Sequence, residues 1–348
     1  MLLNARGKKF LSYYRPYLRL FIADMVCAFI VAAISLVFPL LTRYITNTVL
    51  VGSQSVQLDL IFRIGLVMVA LIFIELLCNF FITYKGHYMG VMMEHDMRNE
   101  LFSHYQKLSF SFYDEQKTGQ LMSRLTNDLF SLTELYHHGP EDVVISIIKF
   151  FGAFFILLSI NVPLTLIIFS ILPVMLVFAL YFNKKMGKAF KQNKERVGDI
   201  NARIEDNLSG IRVVKSFTSE GSEMEKFDVE NNRYVKSRKN SYRIMAYYHS
   251  GLNAFTTMIT VVVILAGSTF ISMKWILLGD LLTYLLYINN LTEPVKKLIN
   301  FTEQFQEGIT GFQRFMEIME VEPDIQDKPH ARTLSQVKGA VDFEDVGF

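Results

Sequence analysis

Two ionisable side chains, Glu75 and Lys149, stand inside apolar runs where no neighbour in sequence neutralises them. An ionised group inside a bilayer is costly unless it is paired or faces a wet cavity, so each is a candidate for function. Helix arithmetic sets Glu75 about 24 Å and Lys149 about 17 Å from the outer ends of their spans, an offset that two long side chains bridge if their faces meet. Two readings stand: a charge pair on a cavity wall that senses substrate charge, or a structural pair with the lysine snorkelling to the headgroups. His137-His138-Gly139-Pro140 is a second constellation. Adjacent histidines suggest a metal, but on a helix they point about 100° apart. Glu134 and Glu141 lie nearby without ligand spacing, so no metal site is expected. Pro140 removes a backbone donor and is expected to kink its helix. Cys27 and Cys78 fall in apolar runs and read as small buried hydrophobes. Softer polar candidates are Asn79, His249, Asn253, Tyr284, Tyr287, Asn289 and Asn290. Of these, Tyr284, Tyr287 and Asn290 recur every three residues and share a helix face, whereas His249 reads as a packing or interface residue. No Gly-x-x-x-x-Gly-Lys-Ser/Thr run occurs, and Met186-Gly187-Lys188 is no substitute, so no phosphate-cradling loop, catalytic residue or cofactor site is expected in this chain.

The elements that must hold these residues are membrane helices. Of 348 residues 51% are hydrophobic and 20% charged, with a mean hydropathy of +0.28, too apolar for an ordinary soluble chain. A net charge of +2 does not point to nucleic acid, and no such partner is expected. Apolar runs cover residues 25–41, 60–84, 143–182, 245–272 and 276 to about 299. The third is too long for one crossing of a hydrocarbon core about 30 Å thick, so it is expected to be a hairpin turning at Asn161-Val162-Pro163. The fold class is therefore all-α, a membrane protein of six spans with both ends on one side. Residues 1–16, with Arg6, Lys8, Lys9 and Arg15 around Phe10, Leu11, Tyr13 and Tyr14, suit a short interfacial helix. Lysine and arginine crowd residues 182–245, while the opposite turns hold Arg43 and Lys274, which places the ends and both long loops in the cytoplasm.

Those two loops lack the composition of flexible linkers. Met97, Leu101, Tyr105 and Leu108 in the first, and Val197, Ile200, Ile204, Leu208 and Ile211 in the second, follow helical spacing. Helices are thus expected to run about 40 Å out of the membrane and return. Their far points are Phe112-Tyr113-Asp114-Glu115-Gln116-Lys117-Thr118-Gly119 and Leu208-Ser209-Gly210-Ile211-Arg212-Val213-Val214-Lys215-Ser216-Phe217. These are either solvated hairpin turns or, given Phe112, Tyr113, Ile211, Val213 and Phe217, apolar patches that grip a partner.

Five segments in order make the pattern specific: Tyr14-Arg15-Pro16-Tyr17, Phe112-Tyr113-Asp114, Thr118-Gly119-Gln120-Leu121-Met122-Ser123-Arg124-Leu125-Thr126-Asn127-Asp128, Gly210 through Phe217, and residues 279–323. Together they resemble the bacterial multidrug and lipid ABC exporters across nearly the whole chain. The resemblance implies a half-transporter whose six helices pair with a second copy or a paralogue, as homodimer or heterodimer, around a central cavity. It implies a first coupling helix at Tyr113, Asp114, Glu115, Gln116, Lys117 and Thr118, and a second at Gly210, Ile211, Arg212, Val213, Val214, Lys215 and Ser216. These would dock on ATPase domains, which bind ATP and magnesium outside this chain. It also sets the face of Tyr284, Tyr287 and Asn290 on the cavity, giving Glu75, Asn79, Lys149, His249, Asn253, Tyr284, Tyr287 and Asn290 as candidate cavity residues. Domains follow as an elbow helix at 1–16, the six-helix domain at 17–320, a linker at 321–340, and, at 341–348, the first strand of a truncated ATPase domain. The implied function is outward movement of drugs, lipids or peptides across the plasma membrane by alternating access. The alternatives are a truncated half-transporter that regulates or poisons intact subunits, and an unrelated carrier or intramembrane enzyme. His137-His138-Gly139-Pro140 departs from the family, where helix commonly continues unbroken.

Overall fold

In the computed structural model, which describes residues 5–50, 54–327, 330–331 and 339–347, all regular structure is helical. A short helix α1 (Ala5–Ser12) precedes α2 (Leu18–Tyr44), and a π-helical turn (Ile82–Gly86) joins α3 (Gln54–Phe81) to α4 (His87–Tyr105). Two small helices, α5 (Phe110–Glu115) and α6 (Thr118–Ser123), lead through a further π-helical turn (Arg124–Asp128) into α7 (Leu129–Ile160). Then come α8 (Val162–Ser209), the short α9 (Ile211–Ser216), α10 (Glu220–Ser272) and α11 (Leu278–Met319).

Five helical runs are long and apolar enough to cross a membrane: Ala5–Val49, Leu58–Tyr105, Thr118–Ile160, Val162–Ser209 and Glu220–Ser272. The chain is a membrane protein. The expected sixth span is helical as α11 but is not among those five; Asp280, Asn289, Asn290 and Glu293 lower the hydropathy of its first half. With 48 and 53 residues, α8 and α10 are about 72 Å and about 80 Å long, more than twice the roughly 30 Å of a hydrocarbon core.

The expected hairpin turn is where the sequence put it. Asn161 is extended, with φ −157°, and its Oδ1 accepts the Leu164 N–H at 2.9 Å, capping α8 just before Pro163. From that turn α7 runs back antiparallel to α11 along a single seam. The rungs are Tyr284 with the Leu157 carbonyl, Lys149 with Glu293, Lys297 with Asp142, Gly308 against Leu135, and Arg314 with Asp128. Glycine permits the close approach at the stem end: a Cβ on Gly311 would lie 2.5 Å from the Asp128 carbonyl oxygen. A second antiparallel pair joins α8 to α10, through Ser241 to the Ala189 carbonyl at 3.3 Å and Asn207 to Glu223 at 3.3 Å.

Helix α1 is docked as well as amphipathic. Arg6 pairs with Glu320, Lys9 and Tyr13 both bond Glu100, and Phe10 stacks on Tyr136 with centroids 4.3 Å apart. It thereby fastens α4, α7 and α11 together around a buried aromatic cluster of Tyr13, Tyr136, Phe312 and Phe315. Pro140 does not interrupt α7, which is helical from Leu129 to Ile160. The Tyr136 carbonyl that Pro140 cannot satisfy accepts the Tyr14 hydroxyl at 2.7 Å. Residues 341–347 are irregular and form no strand, since no ladder partner exists among the described residues. Phe348, and residues 328–329 and 332–338 of the linker, lie outside the described residues.

Candidate functional site

Both far points are short helices at the ends of long ones. The first begins earlier than expected: α5 spans Phe110–Glu115, Gln116 is extended with ψ 142°, and Thr118 already opens α6. Tyr113, Asp114, Glu115, Lys117 and Thr118 are exposed, Gln116 is half-buried, and Phe110, which the sequence reading passed over, is 87% exposed. The second begins one residue later than expected, with Gly210 as the residue before α9 and Ile211, Arg212, Val213, Val214, Lys215 and Ser216 composing it. Only Gly210 and Val214 of that set are half-buried; Val213 is 61% and the following Phe217 77% exposed. Both tips project at one end of the molecule. The start of α8 meets the start of α11 at Tyr284, and Lys194 of α8 pairs with Glu307 of α11 at 3.8 Å, so the two helices run the same way. Between them opens a cleft of about 780 Å³ carrying Lys184, Lys188, Lys191 and Lys194 of α8 and Gln306 and Glu307 of α11.

None of the eight cavity candidates lines that cleft. Tyr284, Tyr287 and Asn290 do share a face, but it is buried against neighbouring helices of the same chain. The Tyr284 hydroxyl contacts the Leu157 and Asn161 carbonyls at 2.9 and 2.8 Å and the Thr165 hydroxyl at 2.8 Å. Tyr287 bonds the Leu36 carbonyl and Asn290 the Ser35 carbonyl at 2.9 Å, so these residues clamp α11 to α2 and to the hairpin turn. Glu75 is half-buried and Asn79 exposed on α3; His249 and Asn253 are exposed on α10. Lys149 does not pair with Glu75. Its Nζ lies 3.3 Å from Glu293 Oε2, because both residues face the seam between α7 and α11 whereas Glu75 sits on α3. Sequence reasoning also passed over Asp280, whose carboxylate accepts from Arg43 at 2.6 Å and Asn47 at 2.8 Å and receives the Leu277 N–H at 2.8 Å.

The histidine pair has neighbours that its spacing in sequence does not reveal. His137 and His138 have ring centroids 4.5 Å apart, and Glu141 Oε2 lies 3.8 Å from a ring nitrogen of each. From α4, His87 Nδ1 comes within 3.2 Å of His137 Nε2, and from α2, Asp24 Oδ2 lies 4.0 Å from His137 Nδ1. Ligand-type atoms from three helices therefore converge where the spacing within one helix suggested none.

Gly187 and Lys188 lie in the middle of α8, where backbone N–H groups are used within the helix and cannot cradle phosphate.

The chain is 41% identical over 341 residues to the uncharacterized ABC transporter ATP-binding protein YwjA of Bacillus subtilis (strain 168), a match covering 98% of this chain and 59% of that protein. It is 24% identical to the putative multidrug export ATP-binding/permease protein YgaD of the same organism, over 98% of this chain and 59% of the relative. With the ATP-dependent lipid A-core flippase of Syntrophus aciditrophicus (strain SB) it shares 25% identity over 98% of this chain and 56% of the relative. The chain thus spans somewhat over half the length of the curated relatives it matches. The family model for the ABC transporter transmembrane region matches residues 21–295, and the chain belongs to that family.

Proposed function

We propose that this chain is the membrane half of an ATP-driven exporter, crossing the plasma membrane six times with α11 as the last span and both ends cytoplasmic. It pairs with a second half-transporter, a copy or a paralogue, and moves hydrophobic or amphipathic substrates outward by alternating access. The names of two relatives, one for multidrug export and one for lipid A-core flipping, fit substrates of that kind. ATP and magnesium act in an ATPase domain outside this chain.

The observation that carries the reading is the pair of tips. Exposed apolar groups at the most distal point of a stiff stem usually mean a contact surface, and here Phe110 and Tyr113 crown one stem and Val213 and Phe217 the other. On this reading α5 and α9 are the coupling helices. Closure of the ATPase domains pushes on them, and helices of this length carry the push into the membrane as levers. Glu75, half-buried on α3, and Asn79, His249 and Asn253, exposed on α3 and α10, are the candidates that remain available to a cavity shared with the partner half. The test is transport in proteoliposomes with the ATPase domain present. Val213→Ser with Phe217→Ser should lower ATP-driven transport at least about tenfold, a docking loss of at least about 1.4 kcal/mol, while detergent-extracted protein remains helical. Undiminished transport by that variant would sink the proposal.

A further inference from the structure

The polar cluster at the junction of α2, α4 and α7 is built like a metal site, and nothing in the transport reading uses it. Asp24 and His137 are 1% and 2% exposed and Glu141 is 8% exposed. Asp24 Oδ1 and Oδ2, His137 Nδ1 and Glu141 Oε2 are all buried without a hydrogen-bond partner. Buried carboxylates and imidazoles without partners are costly, and most such groups in proteins are paired or coordinate a cation.

We propose that His87, His137, His138 and Glu141 bind one divalent transition-metal ion of the zinc class, with Asp24 as the outer partner of His137. The geometry follows the size of that ion. Bonds of about 2.0–2.1 Å in a tetrahedron place ligand atoms about 3.3–3.4 Å from one another. The distances here are 3.2 Å for His87 Nδ1 to His137 Nε2 and 3.8 Å for Glu141 Oε2 to both His137 Nε2 and His138 Nδ1. The donor atoms of His87, His137 and His138 all lie within 4.8 Å of one another, and so do those of Asp24, His137 and Glu141. The two triads share His137, and the proposed ligands are drawn from both. With Nε2 of His137 on the metal, its Nδ1–H points to Asp24 Oδ2, now 4.0 Å away. A carboxylate in that position fixes the ring and strengthens it as a ligand.

Gly86 makes the room. A Cβ there would lie 2.2 Å from His137 Cε1 and 2.9 Å from Asp24 Oδ1, so any side chain would displace the ring that both halves of the site share. Three imidazoles and one carboxylate favour zinc, cobalt, nickel or copper over magnesium or calcium, which prefer oxygen ligands. His87 is exposed and offers the route of entry. Two carboxylates are neutralised by the doubly charged ion, and α2, α4 and α7 are tied together at the base of the stems.

The experiment is zinc content of the detergent-purified chain carrying no histidine tag, after equilibration with micromolar Zn²⁺ and excess Mg²⁺ and removal of free metal. About one zinc per chain is expected. Cobalt in its place should show the visible absorption of a four-coordinate ion. His87→Ala and Glu141→Gln should lower the affinity at least about tenfold, and Asp24→Asn about 10–100-fold. His87 is exposed and His138 partly so, so His87→Ala and His138→Ala should stay folded by circular dichroism, which separates loss of a ligand from loss of the fold. His95→Ala, on the exposed face of α4, should bind as the parent does. Zinc retained at the parent level by both His87→Ala and Glu141→Gln, or no zinc in the parent, overturns the proposal.

Discussion

The Tyr14 hydroxyl donates to the Tyr136 carbonyl at 2.7 Å, the oxygen that Pro140 leaves without its helical donor. A side chain from the elbow before α2 thus repairs a helix more than a hundred residues away. Tyr136 returns the contact, its own hydroxyl donating to the Phe10 carbonyl at 2.7 Å. The proline is tolerated in α7 because the elbow is docked, and the elbow is held partly because the proline frees an acceptor.

That reciprocity makes the cost of Tyr14→Phe depend on residue 140. Removing the hydroxyl leaves a buried acceptor unsatisfied, which should destabilise the folded chain by about 1–3 kcal/mol. In a Pro140→Ala background the new N–H satisfies the Tyr136 carbonyl, so Tyr14→Phe should cost under about 0.5 kcal/mol. Denaturant unfolding of the four proteins of this cycle in detergent measures it, and equal costs in both backgrounds would refute the mechanism.

Lys149 and Glu293 should behave as a pair in which either loss is worse than a swap. The lysine side chain is 17% exposed and the glutamate 53%, so solvent screens the pair in part and its worth is about 1 kcal/mol. Lys149→Glu sets two carboxylates against each other inside the seam and should lower the unfolding midpoint most. Combining it with Glu293→Lys should recover more than half of that loss. Combining Lys149→Glu with Glu75→Lys should recover none, because Glu75 lies on α3, outside the seam. Rescue by Glu75→Lys in the same unfolding assay would restore the pairing that depth alone suggested.

The contrast between Glu75 and Glu293 shows what a sequence carries. Helix arithmetic reports how deep a residue lies, and it placed Glu75 and Lys149 at bridgeable depths. It does not report which helix stands beside which, and that decides the partner. The turn at Asn161 was legible because cap and proline are adjacent in the chain, and α9 because glycine and the apolar run around it are local too. Tyr284, Tyr287 and Asn290 were rightly grouped on one face, but periodicity alone did not say that this face meets α2 and the hairpin turn. The cluster of Asp24, His87 and His137 escaped for the same reason: its members come from three helices, and no spacing within one of them signals the others. A glycine at position 86, needed because the His137 ring occupies the space of its missing side chain, was the one local mark.

The linker and the first tip are joined by a clasp that acid should open. Asp324, beyond α11, accepts from Ser109 Oγ at 2.7 Å and Ser111 Oγ at 2.8 Å, the residues that open α5. Those two donors hold the Asp324 carboxyl below its ordinary value. A depressed carboxyl stabilises the folded form at every pH above its unfolded value, about 3.9, and that contribution disappears as pH falls through the still lower folded value. The clasp should therefore be indifferent to pH between about 5 and 7 and weaken only below about 4. A spin label on a cysteine replacing Ile325, which is 79% exposed and next to the clasp, reports the change as increased mobility. Ser109→Ala with Ser111→Ala should give the same mobility already at neutral pH, which separates the clasp from general acid unfolding. A label whose mobility rises between pH 7 and 5, or is unaffected by the double alanine variant, would mean that Asp324 does not hold the linker to α5.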